Sequence, residues 1–291
     1  LYLHTTSLGE PVLFAAVLVT IAGLSGWVRS DKPYSGGELT VFCGLPAAAA
    51  VLSRYDGGGL AAAAGAFVVV VAQMPWHQRR SPLLRLRGFA VAPLVAALWW
   101  CWFNFVNWGD PLEFQRGQYS AQAQQDILDR AGLLPDKGHL GRSVSTYLQA
   151  TLEGAGHWVL VVGLLGAAAW LVVGRWRLRA LAPWLLFAVP VGFYVLSLYS
   201  GQIALRLGTL EDPSMFNLRY GLQALPGLAA MAGLGAALLS RGLTGPARPW
   251  RTGLAVAAAA ALLTVGTLSW VGEWRAIPVI AEGLQQQDLA S

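Results

Sequence analysis

Apolar and polar positions alternate along the chain in long blocks. Apolar runs occupy about 11–28, 39–53, 60–75, 88–106, 158–173, 181–199, 221–239 and 252–271. Each approaches the length of roughly 20 residues that a helix needs to cross a bilayer. One long polar stretch, residues 107–157, interrupts them. The pattern predicts an all-α fold, a polytopic transmembrane helix bundle of about eight spans. Residues 1–291 form a single transmembrane domain, with 107–157 as a helical loop within it.

Punctuation between the runs sharpens their ends. Pro11 suits the first turn of a helix, where its missing N–H costs nothing. Gly57, Gly58 and Gly59 read as a stop and turn after the second span. Pro46, Pro93, Pro190 and Pro226 fall inside spans and can kink them. Within the polar stretch, Tyr119 to Arg130 reads as one helix that stops near Gly132. Leu140 to Glu153 reads as another, with Leu140, Val144, Tyr147, Leu148, Thr151 and Leu152 giving an apolar face at helical spacing. An amphipathic helix beside a span lies on the interface or packs on the bundle.

Composition agrees with a membrane protein. Charged residues make up 12% of the chain and mean hydropathy is +0.51, where a soluble domain carries about 25% charge. The charge is also unevenly placed. Links 29–38, 76–87, 174–180 and 240–251 hold 12 of the 20 Lys and Arg residues, but only Asp31 and Glu38 of the 15 acids. The positive-inside rule makes those links cytoplasmic, so both chain ends and residues 107–157 fall outside. Trp27, Trp76, Trp176 and Trp250 mark inner ends, and Trp108, Trp158, Trp270 and Trp274 mark outer ends. This is the two-belt pattern of interfacial aromatics. Abundant Ala, Gly and Arg point to a high-GC bacterial genome, and hence to the bacterial plasma membrane. The chain begins at Leu1 with no signal-peptide pattern, and the expectation is that an N-terminal part precedes it.

Some chemistries find no signal. Cys43 and Cys101 lie in apolar runs and read as buried thiols. His4, His77, His139 and His157 lack metal-ligand spacing. A P-loop, a dinucleotide glycine pattern and G-x-S-x-G are absent from the sequence. The cytoplasmic links are too short to build a nucleotide-driven domain. Nothing calls for a nucleic-acid partner.

Candidate chemistry gathers at the outer ends of the spans: Glu10 before the first, Arg54, Tyr55 and Asp56 after the second, Asp110 after the fourth, and Arg219 and Tyr220 before the seventh. In a bundle these groups converge at headgroup depth. Two Arg there match the oxygens of a lipid-linked phosphate. Each also has a plainer reading. The Arg side chains can snorkel to the interface. Asp110 before Pro111 can cap a turn, as can Asp56 before the glycines. Glu10 can sit on the positive end of the helix dipole. Gln115, Gln118, Gln122, Gln124 and Gln125 can bond a sugar or form a solvated helix face. The spans carry no uncompensated charge near their middles, which counts against an ion-coupled transporter.

Four motifs in order, T-T-S-L-G-E-P at 5–11, L-S-R-Y-D-G at 52–57, N-W-G-D-P-L-E-F with G-Q-Y-S-A-Q-A-Q-Q at 107–125, and F-N-L-R-Y-G at 216–221, give the chain a family likeness. Together they resemble bacterial GT-C type membrane glycosyltransferases, near glycosyltransferase family 39 and the dolichyl-phosphate-mannose protein mannosyltransferases. The resemblance implies inverting transfer of a sugar from a polyprenyl-phosphate donor at the outer face. Its partners are then a polyprenyl-phosphate-linked sugar and membrane lipid. In that family the catalytic acid lies in the first outer loop, upstream of this chain's expected start, so no catalytic residue is assigned here. What the resemblance carries over is a donor and acceptor cavity rim of Glu10, Arg54, Tyr55, Asp56, Asp110, Arg219 and Tyr220. It identifies no cofactor and leaves a divalent cation open. The alternatives are a membrane transporter and a non-catalytic accessory subunit.

Overall fold

The structure is a computed structural model. It describes residues 9–30, 34–74, 81–118, 120–173, 182–205 and 217–242, together with residue 264. Among the described residues all regular structure is helical. Five helices are long and apolar enough to cross a membrane, and a bent pair raises the number to six. The eighth expected span, 252–271, lies outside the described residues apart from residue 264.

Helix α1, Glu10–Arg29, is the central element. Its residues Leu13, Val17, Ile21, Leu24, Trp27 and Val28 are almost wholly buried, in one cluster with Leu39, Cys43, Ala47, Leu60, Val68 and Phe89 from the next three helices. Helix α2 spans Gly36–Ser53. It starts earlier than the apolar pattern predicts because Ser35 and Glu38 form a capping box, each side chain bonding the other's backbone N–H. A π turn over Thr40–Gly44 interrupts it. The Leu45 N–H reaches back to Thr40 O just ahead of Pro46, whose ring and missing N–H disturb an ordinary helical ladder. Thr40 Oγ1 donates to Gly88 O at 2.5 Å and so ties α2 to the fourth helix.

A single extended residue, Arg54, joins α2 to α3, Tyr55–Ala72. The three glycines read as a stop therefore lie in the opening turns of α3. The reason is steric: a Cβ at Gly57 would collide with the Ala50 carbonyl, so the tight reversal needs glycine there. Helix α4, Pro82–Trp108, takes in residues 82–87, which the basic character of that stretch had assigned to a link. Ser81 precedes it and Pro82 occupies its first turn, as a helix start prefers. Gly109, at φ +75°, ends it in the left-handed conformation.

The polar stretch folds into three helices: α5, Glu113–Arg116; α6, Ala121–Arg130; and α7, Leu140–Ala155. Ser120 caps α6 by accepting from the Ala123 N–H at 3.2 Å. Gly156, at φ +83°, breaks the chain between α7 and α8, His157–Val173, and the two helices meet at 109°. The buried residues of α7 are Ser143, Tyr147, Ala150 and Thr151. Leu140, Val144 and Leu148, on the apolar face read from the helical spacing, are exposed. Ala150 comes so close to Gly221 that a Cβ on that glycine would collide with the Ala150 backbone, while Leu140, Val144 and Leu148 point away. A 3₁₀ turn, Ala182–Phe187, leads into α9, Ala188–Ser200. A second, Leu218–Ala224, leads into α10, Leu225–Gly242. Helices α8 and α10 approach so closely that a Cβ on Gly235 would stand 2.8 Å from Gly166 Cα.

Candidate functional site

The first residue of α1, the α2–α3 junction, the C-terminal half of α9 and the 3₁₀ turn before α10 converge at one end of the bundle. Glu10 enters from the first turn of α1, where a carboxylate suits the positive end of the helix dipole. Its side chain is 0% exposed. Arg54 is aimed by the extended backbone between α2 and α3. Its Nη1 donates to Glu10 Oε1 at 2.6 Å, and its Nη2 donates to the Tyr194 hydroxyl at 3.1 Å. Its Nε stands 3.4 Å from Asp56 Oδ1. That Nε makes no hydrogen bond, so the approach is an ion-pair contact. Tyr194 closes the ring by donating its O–H to Asp56 Oδ2 at 3.1 Å.

A second cation completes the cluster. Arg219 Nη1 lies 3.6 Å from the same Glu10 oxygen. The Tyr220 ring faces both guanidinium groups, at 5.5 Å for Arg54 and 5.7 Å for Arg219, a cation–π arrangement. Tyr220, Tyr194 and Tyr147 then run in a row, with ring centroids 5.0 Å and 6.2 Å apart. Burial opposes the charge on Arg54, but Tyr194, Asp56 and Glu10 outweigh it and hold its pKa above the ordinary arginine value. With two acids and two arginines the cluster is formally neutral.

Arg54, Asp56, Tyr194 and Tyr220 also line a cavity of about 500 Å³. The facing wall comes from the polar stretch: Phe114 and Gln115 of α5, and Gln122, Gln125 and Asp126 of α6. Ser197, Ser200 and Gln202 close another side, with Lys137 and Asp129 paired at 2.6 Å near its edge. Gln125 is buried, and its Oε1 has no hydrogen-bond partner among the described residues. The cavity thus offers amide and hydroxyl groups next to aromatic faces, with a guanidinium and a carboxylate in its floor. Such groups suit a polyhydroxylated ligand beside an anionic one.

Of the seven residues expected at a cavity rim, five come together, Glu10, Arg54, Asp56, Arg219 and Tyr220, and of these Arg54, Asp56 and Tyr220 line the cavity while Glu10 and Arg219 stand behind them. Tyr55 opens α3 beside them. Asp110 is not among the residues lining the cavity. It accepts from the Leu112 N–H at 2.8 Å and so holds the turn after α4, the plainer of its two readings. Tyr194 was not anticipated, because it sits inside an apolar run. Its position less than two turns from the end of that run was the only available signal. Among the described residues no three His, Cys, Asp or Glu side chains gather in a way that could hold a metal ion. No protein-family model matches the chain, and neither a curated protein nor a solved structure matches it.

Proposed function

We propose that this protein is a multi-pass membrane glycosyltransferase of the GT-C type, acting on a polyprenyl-phosphate-linked sugar at the outer face of a bacterial plasma membrane. In this reading about eight spans cross the bilayer and residues 107–157 lie on the extracytoplasmic side. The observation that carries it is the cavity in which Gln115, Gln122 and Gln125 face Arg54 and Asp56. Its amide wall suits sugar hydroxyls, and the Arg54–Tyr220–Arg219 group beside it suits a phosphate. In the reaction the bond from the sugar C1 to the phosphate oxygen breaks, and the phosphate leaves with the electron pair. A new bond forms from C1 to an acceptor hydroxyl oxygen, whose proton passes to a base. Guanidinium groups stabilise the charge that grows on the leaving phosphate. None of the rim residues is assigned as the base.

The test is binding of a polyprenyl-phosphate-linked sugar to the purified chain in lipid nanodiscs, measured per folded molecule. Arg54→Ala and Arg219→Ala are each expected to weaken binding by about tenfold or more, a change of ~1.4 kcal/mol. Unchanged affinity in both variants would remove the phosphate grip, and with it this reading of the site.

A further inference from the structure

We propose that Glu10 is a built-in counter-ion that occupies the anion position between Arg54 and Arg219, and that a phosphate group binds by displacing it. The proposal rests on the reading of those two arginines as a phosphate grip and adds how the grip is kept from the wrong ligand.

Glu10 Oε1 lies between the two guanidiniums, 2.6 Å from Arg54 Nη1 and 3.6 Å from Arg219 Nη1. One oxygen bridging two arginines is the place a phosphate oxygen would take. Tyr220 faces both guanidiniums and holds them close together, so they can act on one anion. The arginines keep 19% and 37% of their side-chain surface open while Glu10 has none. The cations therefore meet the carboxylate from the protein side and can meet a ligand from the open side.

Among the described residues the hold on Glu10 is one-sided. Its Oε2 is buried with no hydrogen-bond partner among the described residues. A carboxylate kept only for structure would ordinarily satisfy both oxygens, since an unmet buried acceptor is costly. Glu10 also sits in the first turn of α1, so a released carboxylate stays at the positive end of that helix. Asp56 does not duplicate the role, because Tyr194 donates to its second oxygen and Arg54 is its one cationic contact among the described residues.

The consequence is selectivity. A free phosphate ion must replace an anion already in place and gains little from the exchange. A phosphate that brings a sugar into the cavity and a lipid chain into the bilayer gains those contacts as well. The site would then ignore inorganic phosphate while accepting the lipid-linked form.

Inorganic phosphate and polyprenyl phosphate are the two probes, titrated into nanodiscs holding the native chain, Glu10→Gln or Glu10→Asp. Glutamine keeps the size and loses the charge. Aspartate keeps the charge and is too short to bridge both arginines. The native chain should bind inorganic phosphate more weakly than the lipid form, and both variants should bind inorganic phosphate about tenfold more tightly than the native chain. Unchanged or weaker phosphate binding in the variants would overturn the proposal and leave Glu10 as a residue that aims Arg54. A separate arm tests the grip: adding Arg219→Ala to Glu10→Gln should abolish the gain, and a gain that survives would show that the anion binds elsewhere. A third measurement needs no variant. In the native chain with ¹³C-labelled glutamate, polyprenyl phosphate should shift a carboxylate stretching band in the infrared difference spectrum, and a flat spectrum would overturn displacement.

Discussion

The bundle buries Arg85 near one end and half-buries Arg54 near the other, and the two are put to different use. Arg85, in the first turn of α4, is 3% exposed and donates to the backbone carbonyl of Tyr34. Arg54 lies at the other end of α2, whose 18 residues span roughly 27 Å. Its three named partners, Glu10, Asp56 and Tyr194, are all side chains. A carbonyl is fixed by the fold and makes no chemical choice, so Arg85 reads as a fastening between helices. Side-chain carboxylates and a phenol can exchange partners, and here they border a cavity. Burial of a charge therefore does not mark a site by itself; the kind of partner and the open space beside it do.

Removal of each arginine tests that contrast. Arg54→Ala leaves Glu10 and Asp56 buried near each other with one cation fewer, and should cost about 3–5 kcal/mol of stability. Arg85→Ala loses the charge-assisted bond to the Tyr34 carbonyl, which should cost about 2 kcal/mol. Thermal or denaturant unfolding in detergent compares the two. Arg85→Ala should also leave binding of a polyprenyl-phosphate-linked sugar unchanged. If the two variants lose equal stability and equal binding, the distinction between the two ends fails. A smaller loss, about 1 kcal/mol, is expected for Tyr194→Phe, which takes a partner from both Arg54 and Asp56. Its loss should fall well below 1 kcal/mol once Arg54 is already Ala, and full additivity would show that the hydroxyl acts outside the network. Smallest of all is Asp110→Asn, which keeps an oxygen able to accept from the Leu112 N–H. It should change stability by about 0.5 kcal/mol or less and leave ligand binding unchanged.

Much of this arrangement was legible in the sequence, because hydrophobic runs fix helices well and fix their ends poorly. The first span was expected at 11–28 and the helix runs Glu10–Arg29. The fifth was expected at 158–173 and α8 runs His157–Val173. The larger differences have local causes. The Ser35–Glu38 capping box was hidden in a polar link. The glycines at 57–59 looked like a stop because the close approach that demands one of them depends on a neighbouring helix. Glu10, Arg54, Asp56, Arg219 and Tyr220 could be picked out because polar groups at span ends are conspicuous. Tyr194 could not, since tyrosine inside an apolar run usually signals packing. Which partner Arg54 holds depends on helix rotation, which the order of residues along the chain does not state.

The bend at Gly156 has a mechanical consequence. Leu140, Val144 and Leu148 form an outward ridge one helical turn apart, and under the proposed function, in which α8 crosses the bilayer, α7 runs almost along its surface. Such a ridge works as a float line, because sinking it or lifting it exposes the wrong atoms to the wrong solvent. Tyr147, on another side of α7, stacks on Tyr194, the tyrosine bonded to Arg54 and Asp56. The height at which α7 rides is thereby coupled to the geometry of the charged cluster. A thinner or more loosely packed leaflet would then be felt at the arginines before it altered any crossing helix.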